Sequence, residues 1–331
     1  MRVIIDKDIP FIRGVLEPYA EVRYERGGDI SAQMLEGVDA LIVRTRTRCD
    51  EALLAGSSVK FIATATIGTD HIDLDYCAKH GIEVFNARGC NARGVLQWVA
   101  AALRDVVLGD GKRPEDYTLG VVGVGCVGSL VSKYARYWGF SVLDCDPPRA
   151  EREGGDFRSI EELVERCDIL TFHTPLDSST YHLLSEALIA KLRPETVIFN
   201  ASRGGVVDNV ALAKSSHRYY FDVWEGEPHI EARVLENSVL ATPHVAGYSL
   251  QGKANATAMV ISAIARRFAL PIEDWYPEEV TPTKTQLIGW EQMCGSIDSY
   301  YPISEESDYL KSHPEEFEKI RNSYAYRNEY F

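Results

Sequence analysis

Three side chains that together could oxidise a 2-hydroxy acid each follow a short apolar segment of this sequence. Arg203, Glu227 and His244 supply a guanidinium, a carboxylate and an imidazole. Histidine can accept a hydroxyl proton near neutral pH while a hydride leaves the neighbouring carbon. A carboxylate partner would orient the imidazole ring, and a guanidinium matches a substrate carboxylate in two parallel hydrogen bonds. These residue types predict a dehydrogenase site with Arg203, Glu227 and His244 as catalytic residues.

A glycine-rich motif upstream predicts a binding site for the hydride acceptor. The motif Gly-Val-Gly-Cys-Val-Gly occupies positions 123–128, between the apolar segment Leu119–Val122 and a segment with helical spacing. This is the context that a dinucleotide-binding loop requires. Gly123 would permit the sharp turn, Gly125 would let the backbone approach the pyrophosphate, and Gly128 would allow close packing of helix on strand.

The residues around this motif indicate which dinucleotide is bound. Cys126 and Val127 lie at the start of the predicted helix, where free N–H groups would face the phosphates. Asp146 ends the next predicted strand and would accept hydrogen bonds from the adenosine ribose. Because its charge would repel a 2′-phosphate, the predicted cofactor is NAD, although the nearby Arg149 leaves NADP open.

Short apolar segments alternate with segments of helical spacing through most of the chain. Most of these segments are continuously apolar, as strands covered on both faces of a parallel sheet are. The sequence therefore predicts an α/β fold with two Rossmann-like, doubly wound parallel-sheet domains. The predicted strands are Val3–Ile5, Ala40–Val43, Phe61–Ala63, Glu83–Phe85, Leu119–Val122, Val142–Leu143, Ile169–Phe172, Val197–Phe199, Tyr219–Phe221 and Val239–Ala241.

The candidate site residues share one position relative to these strands. Thr174, Arg203, Asp222 and His244 each follow the carboxyl end of a predicted strand. Ligands of open α/β sheets bind beyond these ends. We therefore expect the imidazole, guanidinium and carboxylate to lie within bonding reach of a nicotinamide, in the cleft between the two large domains.

A second arginine cluster precedes the glycine motif. The segment Arg44–Arg48 alternates arginine with threonine after the strand Ala40–Val43, and Thr64–Thr69 follows Phe61–Ala63. Arginines with hydroxyl and loop N–H groups suit a phosphate, although a solvated basic loop is the alternative. The resulting hypothesis is a substrate acid that carries a phosphate distal to its carboxylate.

Composition narrows the class of protein and its partners. The net charge of −14 argues against a nucleic-acid partner and against an anionic membrane surface. No segment resembles a signal peptide or a membrane span. Seven scattered cysteines without a C-x-x-C pair predict a reduced cytoplasmic protein with no metal site.

Several longer motifs resemble the D-2-hydroxyacid dehydrogenase family, from Met1 to about Phe268. Two of them, Cys145–Ala150 with its double proline and Asp222–Pro228, resemble members that act on 4-phospho-D-erythronate more than they resemble the wider family. The other motifs that carry the resemblance are Gly89–Ala92, Thr171–Leu176 and Thr242–Tyr248.

The resemblance implies a set of site residues and an activity. It implies the same catalytic residues, with His244 as the acid/base. The implied substrate contacts are Thr45, Thr66 and Tyr248. The implied NAD contacts are Asp146, Thr174, Asp222 and Gly247. The implied reaction is the NAD-dependent oxidation of 4-phospho-D-erythronate on the route to pyridoxal 5′-phosphate, carried out by a cytoplasmic homodimer.

The predicted organisation has three parts, and two other functions stay open. A substrate-binding domain at 1–97 would be completed by a helix at about 252–272, an NAD-binding domain would span 98–251, and a small C-terminal dimerisation domain 273–331. One alternative is another D-2-hydroxyacid dehydrogenase, such as a phosphoglycerate or glyoxylate/hydroxypyruvate enzyme. The other is an NAD-sensing binding module, for which no partner-peptide groove is recognisable in the sequence.

Overall fold

Eleven strands, all paired in parallel, form the two sheets that the apolar segments predict. The computed structural model describes all residues from Met1 to Phe331. The strands are β1 Arg2–Asp6, β2 Glu21–Glu25, β3 Ala40–Val43, β4 Phe61–Thr64, β5 Glu83–Asn86, β6 Thr118–Val122, β7 Ser141–Cys145, β8 Ile169–Phe172, β9 Val197–Asn200, β10 Tyr219–Phe221 and β11 Leu240–Ala241.

Thirteen α-helices connect and follow these strands. None of them is apolar over enough length to cross a membrane. The helices are α1 Glu51–Leu54, α2 Leu74–Lys79, α3 Ala92–Gly109, α4 Cys126–Trp138, α5 Pro147–Glu153, α6 Ile160–Arg166, α7 Glu186–Ile189, α8 Asn209–Lys214, α9 Ala232–Asn237, α10 Leu250–Phe268, α11 Trp290–Tyr300, α12 Ile303–Ser312 and α13 Phe317–Asn322.

The first unit of the chain consists of Met1–Asn91 and Leu250–Pro282. Its five-stranded sheet has the order β2-β1-β3-β4-β5. Helix α10 covers one face, where Val260 and Ile264 are fully buried with side chains of β1, β3 and β4. Strand order reverses between β1 and β3, so the loops after these two strands lie at the switch point of this sheet.

The second unit consists of Ala92–Ser249 and Thr283–Phe331. Its six-stranded sheet has the order β11-β10-β9-β8-β6-β7. Because β7 lies on one side of β6 and β8 on the other, the order reverses between β6 and β8. Ligands of doubly wound sheets bind at such a reversal. The glycine motif follows β6 and Thr174 follows β8, so the switch point of this sheet carries these two predicted parts of the cofactor site.

Strand β2 is the one strand that the sequence reading missed. Its sequence is Glu-Val-Arg-Tyr-Glu, and each residue is exposed or only partly buried. It lies at the edge of the first sheet and pairs with β1 alone. Charged residues are common on edge strands because they discourage pairing with other chains. Such a segment has none of the continuous apolar character by which the other strands were recognised.

The last residues of the chain, Thr283–Phe331, pack within the second unit. Trp290 packs edge-on against Trp138 of α4, with ring centroids 5.7 Å apart. The C-terminal Phe331 is fully buried, and its ring lies 5.5 Å from that of Tyr134. Sequence reading assigned 273–331 to a separate dimerisation domain. The structure shows 283–331 as a helical layer in which α11 packs against α3 and α4 and α12 packs against β11, and its role in a dimer stays a prediction.

Candidate active site

The glycine motif forms the predicted turn from β6 into α4, and two of its glycines are required by space. Gly123 has φ +84°, and a Cβ there would lie 2.8 Å from Thr174 Cγ2. A Cβ on Gly128 would lie 2.0 Å from the carbonyl oxygen of Gly123. Gly125 is the N-cap of α4, which begins at Cys126. The first N–H groups of a helix have no partner within the helix, so this turn presents donors for an anion.

Asp146 ties the glycine motif to the end of β7. One carboxylate oxygen accepts a hydrogen bond from the Val124 N–H at 2.8 Å and the other from the Arg149 N–H at 3.0 Å. The Arg149 guanidinium pairs with Glu153 at 2.6 Å and donates to the Val124 carbonyl at 2.8 Å. The Arg149 guanidinium, which could otherwise bind the 2′-phosphate of NADP, is therefore engaged within the chain, and the site favours NAD.

A buried hydroxyl beside the motif supports the fit of a dinucleotide. Thr174 Oγ1 is buried and has no hydrogen-bond partner in the structure. The methyl group of the same side chain lies 2.8 Å from the position that a Cβ on Gly123 would occupy. Burying an unpaired hydroxyl costs about 1–3 kcal/mol. A ligand that donates or accepts a hydrogen bond here would remove this cost, so Thr174 fits the predicted contact with NAD.

His244 and Glu227 form the predicted pair. His244 Nδ1 lies 2.5 Å from Glu227 Oε1, and the Trp224 N–H donates to the second carboxylate oxygen at 3.2 Å. Burial disfavours the charged carboxylate, but the hydrogen bond and charge of His244 outweigh it, so the pKa of Glu227 is lowered. An ionised Glu227 carboxylate accepts a hydrogen bond from the N–H at Nδ1 of His244. His244 Nε2 makes no hydrogen bond within the chain and stays available to accept a proton.

The backbone of His244 is held in a conformation that few non-glycine residues adopt. Its φ is +58°, in the left-handed region. The N–H of His244 donates to the carbonyl of Asp222 at 2.7 Å. Such a conformation persists only where the surroundings fix it, and it occurs often at functional sites.

Asp222 supplies much of that fixation. Its carboxylate accepts hydrogen bonds from the Thr242 hydroxyl at 2.6 Å, the Val245 N–H at 2.8 Å and the Ala246 N–H at 3.0 Å. Trp98 Nε1 in turn donates to Thr242 Oγ1 at 2.9 Å. Burial raises the pKa of Asp222, against the opposing effects of His244 and these donors. The carboxylate thus fixes the loop that carries His244 and Gly247, and its contact with NAD stays a prediction.

Arg203 follows β9 in a loop that packs against the segment before Glu227. Asn200 Nδ2 donates to the Arg203 carbonyl at 2.9 Å, and Arg203 Nη1 donates to the Ser202 carbonyl at 2.8 Å. A Cβ on Gly204 would lie 2.0 Å from the backbone of Trp224. The absence of a side chain at Gly204 therefore lets two loops meet that are about twenty residues apart in sequence.

Sequence reading missed the residues that join these two loops. Asn209 Nδ2 donates to the carbonyl of Gly204 at 3.1 Å, while its Oδ1 accepts from the Glu225 N–H at 3.0 Å. The N–H of Asn209 donates to Glu225 Oε2 at 3.1 Å. The only local signal is Asp208 at the N-cap of α8, which predicts a helix start and no link to a distant loop.

His182 belongs to the same network. Its Nε2 lies 2.7 Å from Glu225 Oε1, and its N–H donates to the Gly205 carbonyl at 2.7 Å. The ligand atoms of His182, Asp208 and Glu225 lie within 4.8 Å of one another. Hydrogen bonds within this group and to Asn209 account for the clustering. His182 therefore supports the two loops and does not occupy a position like that of His244.

His173, a second histidine near the carboxyl edge of this sheet, directly follows β8 and is held neutral. Burial lowers its pKa to about 3. Its Nε2 lies 2.9 Å from Thr171 Oγ1. A histidine that is neutral and engaged in the interior is a poor acceptor for a substrate proton, so the predicted acid/base residue is still His244.

The residues predicted to contact substrate lie in both units. Thr45 is exposed after β3 and Thr66 follows the neighbouring β4, so both lie at the carboxyl edge of the first sheet. Thr66 Oγ1 lies 2.6 Å from Thr64 Oγ1, and Arg44 Nη1 donates to the Asp8 carbonyl at 2.8 Å. Tyr248 belongs to the second unit, four residues after His244.

Comparison with known proteins identifies the class that this fold and site define. The sequence model for the NAD binding domain of D-isomer specific 2-hydroxyacid dehydrogenases matches residues 97–246. An erythronate-4-phosphate dehydrogenase of Bacteroides fragilis is 44% identical, covering 99% of this chain and 97% of that protein. One from Ectopseudomonas mendocina is 38% identical, covering 99% and 93%. The chain therefore belongs to the D-isomer specific 2-hydroxyacid dehydrogenase family.

A solved structure agrees with this assignment. The NAD⁺-bound 3-phosphoglycerate dehydrogenase of Entamoeba histolytica is similar to this chain with a TM-score of 0.68 and 26% sequence identity, covering 85% of this chain and 99% of that one. The family resemblance drawn from the sequence motifs is confirmed, as are the two parallel-sheet domains and the NAD-dependent class of enzyme.

Proposed function

We propose that this chain oxidises 4-phospho-D-erythronate to (R)-3-hydroxy-2-oxo-4-phosphobutanoate with NAD, on the route to pyridoxal 5′-phosphate. The observation that carries the proposal is the pair formed by His244 Nδ1 and Glu227 Oε1 at 2.5 Å, at the carboxyl edge of the sheet whose switch point holds the glycine motif. The relatives named above as erythronate-4-phosphate dehydrogenases supply the choice of substrate.

The residues divide the reaction between them. Nε2 of His244 accepts the proton of the C2 hydroxyl as the C2–H electron pair departs and the C2 carbonyl forms. Glu227 stabilises the resulting imidazolium through Nδ1, and Arg203 holds the C1 carboxylate in two parallel hydrogen bonds. When bound, NAD takes up the hydride, and the glycine motif with Asp146 and Thr174 would hold it. General base catalysis of this kind contributes about 10²–10⁴-fold in rate.

In the reverse direction the same groups change roles. The imidazolium of His244 returns its proton to the C2 oxygen, and Arg203 withdraws electron density from the neighbouring carbonyl. Glu227 keeps Nδ1 protonated in both directions, so only Nε2 exchanges a proton with the substrate. The proposed assignment therefore needs no second acid or base.

A homodimer in the cytoplasm completes the proposal. Exposed tyrosines of the C-terminal helical layer, among them Tyr300 and Tyr309, support an interface there, because tyrosine is enriched in protein interfaces. The seven cysteines are all free thiols, five of them buried, which supports a reducing compartment. Light scattering of the purified chain would measure its mass, and a monomer at micromolar concentration would contradict the dimer.

Turnover of competing acids tests the proposed substrate. Purified chain is mixed with NAD and either 4-phospho-D-erythronate or 3-phospho-D-glycerate, and NADH absorbance is followed. The proposal predicts the higher kcat/KM with phosphoerythronate. A preference for phosphoglycerate would support the other dehydrogenase, and NAD binding with no NADH from any 2-hydroxy acid would support the binding module.

A further inference from the structure

The guanidinium of Arg321 lies beside the tyrosine that is predicted to contact substrate. Arg321 is on α13, and its Nε donates to the hydroxyl of Tyr248 at 3.3 Å. No carboxylate lies within ion-pair distance of Arg321 in the structure. Both the tyrosine and the arginine are partly exposed. The Nη atoms of this guanidinium are therefore available for an anion that reaches Tyr248.

The segment that carries Arg321 is fixed against the loop of His244. Arg327, five residues after α13 ends, is buried and donates to the carbonyl of Val245 at 3.1 Å and to the carbonyl of Ala246. Its guanidinium also lies 3.8 Å from the ring centroid of Tyr301. The ring of Tyr324 packs edge-on against that of Tyr248 at 5.9 Å. Arg321 thus approaches Tyr248 from a segment that is itself held in place.

Charges around Arg321 keep it cationic. Burial disfavours its charge, but Tyr248 and then the carboxylates of Glu227 and Asp222 outweigh burial, so the pKa of Arg321 is raised. The influence of Glu227 places this guanidinium within electrostatic range of the catalytic pair. An arginine that interacts with the catalytic carboxylate and yet has no ion-pair partner is suited to a ligand anion.

A substrate with two anionic groups needs two cationic partners in this site. Arg203 is assigned to the carboxylate next to the reacting carbon. Of the arginines that the sequence offered for the phosphate, Arg44 donates to the Asp8 carbonyl and Arg48 pairs with Asp50. We propose that Arg321 binds the distal phosphate of the substrate, together with the hydroxyl of Tyr248, and so selects phosphorylated over unphosphorylated acids. This inference rests on the proposed function, and it adds a specificity residue from the C-terminal helical layer.

The test compares two substrates in matched variants. Arg321→Ala removes the guanidinium, and Lys319→Ala removes a charge from the same helix at an exposed residue paired only with Glu316. KM for 4-phospho-D-erythronate should rise roughly 10- to 100-fold in Arg321→Ala, since hydrogen bonds to charged groups have about this effect. In Arg321→Ala, KM and kcat for unphosphorylated D-erythronate should stay unchanged. In Lys319→Ala, KM and kcat should stay unchanged for both substrates. Arg321→Lys should restore part of the loss.

A second probe keeps the inference falsifiable if unphosphorylated erythronate turns over too slowly. Inorganic phosphate should compete with phosphoerythronate in the unchanged enzyme, and its inhibition constant should rise by a similar factor in Arg321→Ala. Equal losses for both acids, or an unchanged inhibition constant, would overturn the inference and leave Arg321 as a support for Tyr248. If the unchanged chain forms no NADH from phosphoerythronate, the proposed function itself fails, whatever Arg321 does.

Discussion

Glu306 of α12 makes the stability of the second unit depend on pH. One of its carboxylate oxygens accepts a hydrogen bond from the Tyr324 hydroxyl at 2.6 Å, and the other is buried without a partner. Burial raises the pKa of Glu306 from 4.5 to about 7, although Tyr324 and Arg327 oppose this. Replacing Glu306 by glutamine keeps the shape and an acceptor for Tyr324 but removes the ionisation.

The sign follows from proton binding in the two states. The folded chain holds the Glu306 proton up to about pH 7, whereas the unfolded chain releases it near pH 4.5. The protonated Glu306 therefore contributes its full stabilisation of the folded chain below about pH 4.5, and this stabilisation is lost as pH rises through the folded pKa of about 7. A tenfold change in proton affinity is worth about 1.4 kcal/mol, so the whole effect is about 3 kcal/mol. About 2.5 kcal/mol of it falls between about pH 5 and about pH 8.

Urea unfolding at these two pH values measures the effect. The free energy of unfolding of Glu306→Gln, relative to that of the unchanged chain, should increase by about 2.5 kcal/mol from about pH 5 to about pH 8, because only the unchanged chain loses this contribution. Glu305→Gln is the matched control, because Glu305 is the exposed neighbour on the same helix, and it should show no such change. Parallel pH profiles for the unchanged chain and Glu306→Gln would refute the reasoning.

Two further substitutions test the packing of the second unit. Gly204→Ala should cost at least about 1–3 kcal/mol of stability by overpacking and should lower kcat, because its Cβ would overlap the Trp224 backbone. Gly205→Ala is the control and should be tolerated better, because its Cβ would lie 3.3 Å from the flexible Leu176 side chain. Equal effects of the two substitutions would contradict the account. Gln97→Leu should raise the free energy of unfolding by about 1–2 kcal/mol in urea titrations, because neither Nε2 nor Oε1 of this buried amide has a hydrogen-bond partner. A loss of stability would show that the amide is hydrogen-bonded in solution.

Local sequence patterns predicted most of the fold. Strands buried on both faces are continuously apolar, so segments such as Ile169–Phe172 and Val197–Asn200 are recognised without knowledge of their neighbours. The glycine motif is equally local, since strand, turn and helix follow one another. Strand β2 escaped because an edge strand needs no apolar pattern.

The supporting residues of the site could not be predicted in the same way. Their roles depend on which loops meet at the sheet edge, and sequence separation carries no such information. Asn209 reads as the first residue of a helix, yet its amide joins the loops of Gly204 and Glu225. Arg321 reads as one more charge in an acidic tail, yet it contacts Tyr248. Arg203, Glu227 and His244 could be predicted as one group because strand ends converge in any parallel sheet, and their catalytic roles stay a prediction.

Removal of the catalytic imidazole tests the central claim most directly. Initial rates of NADH formation from 4-phospho-D-erythronate are measured for the unchanged chain, for His244→Ala and for His229→Ala, an exposed histidine two residues after Glu227. The account predicts a loss of about 10²–10⁴-fold in kcat for His244→Ala, with NAD affinity retained, and no loss for His229→Ala. A His244→Ala variant that keeps the full rate would contradict it.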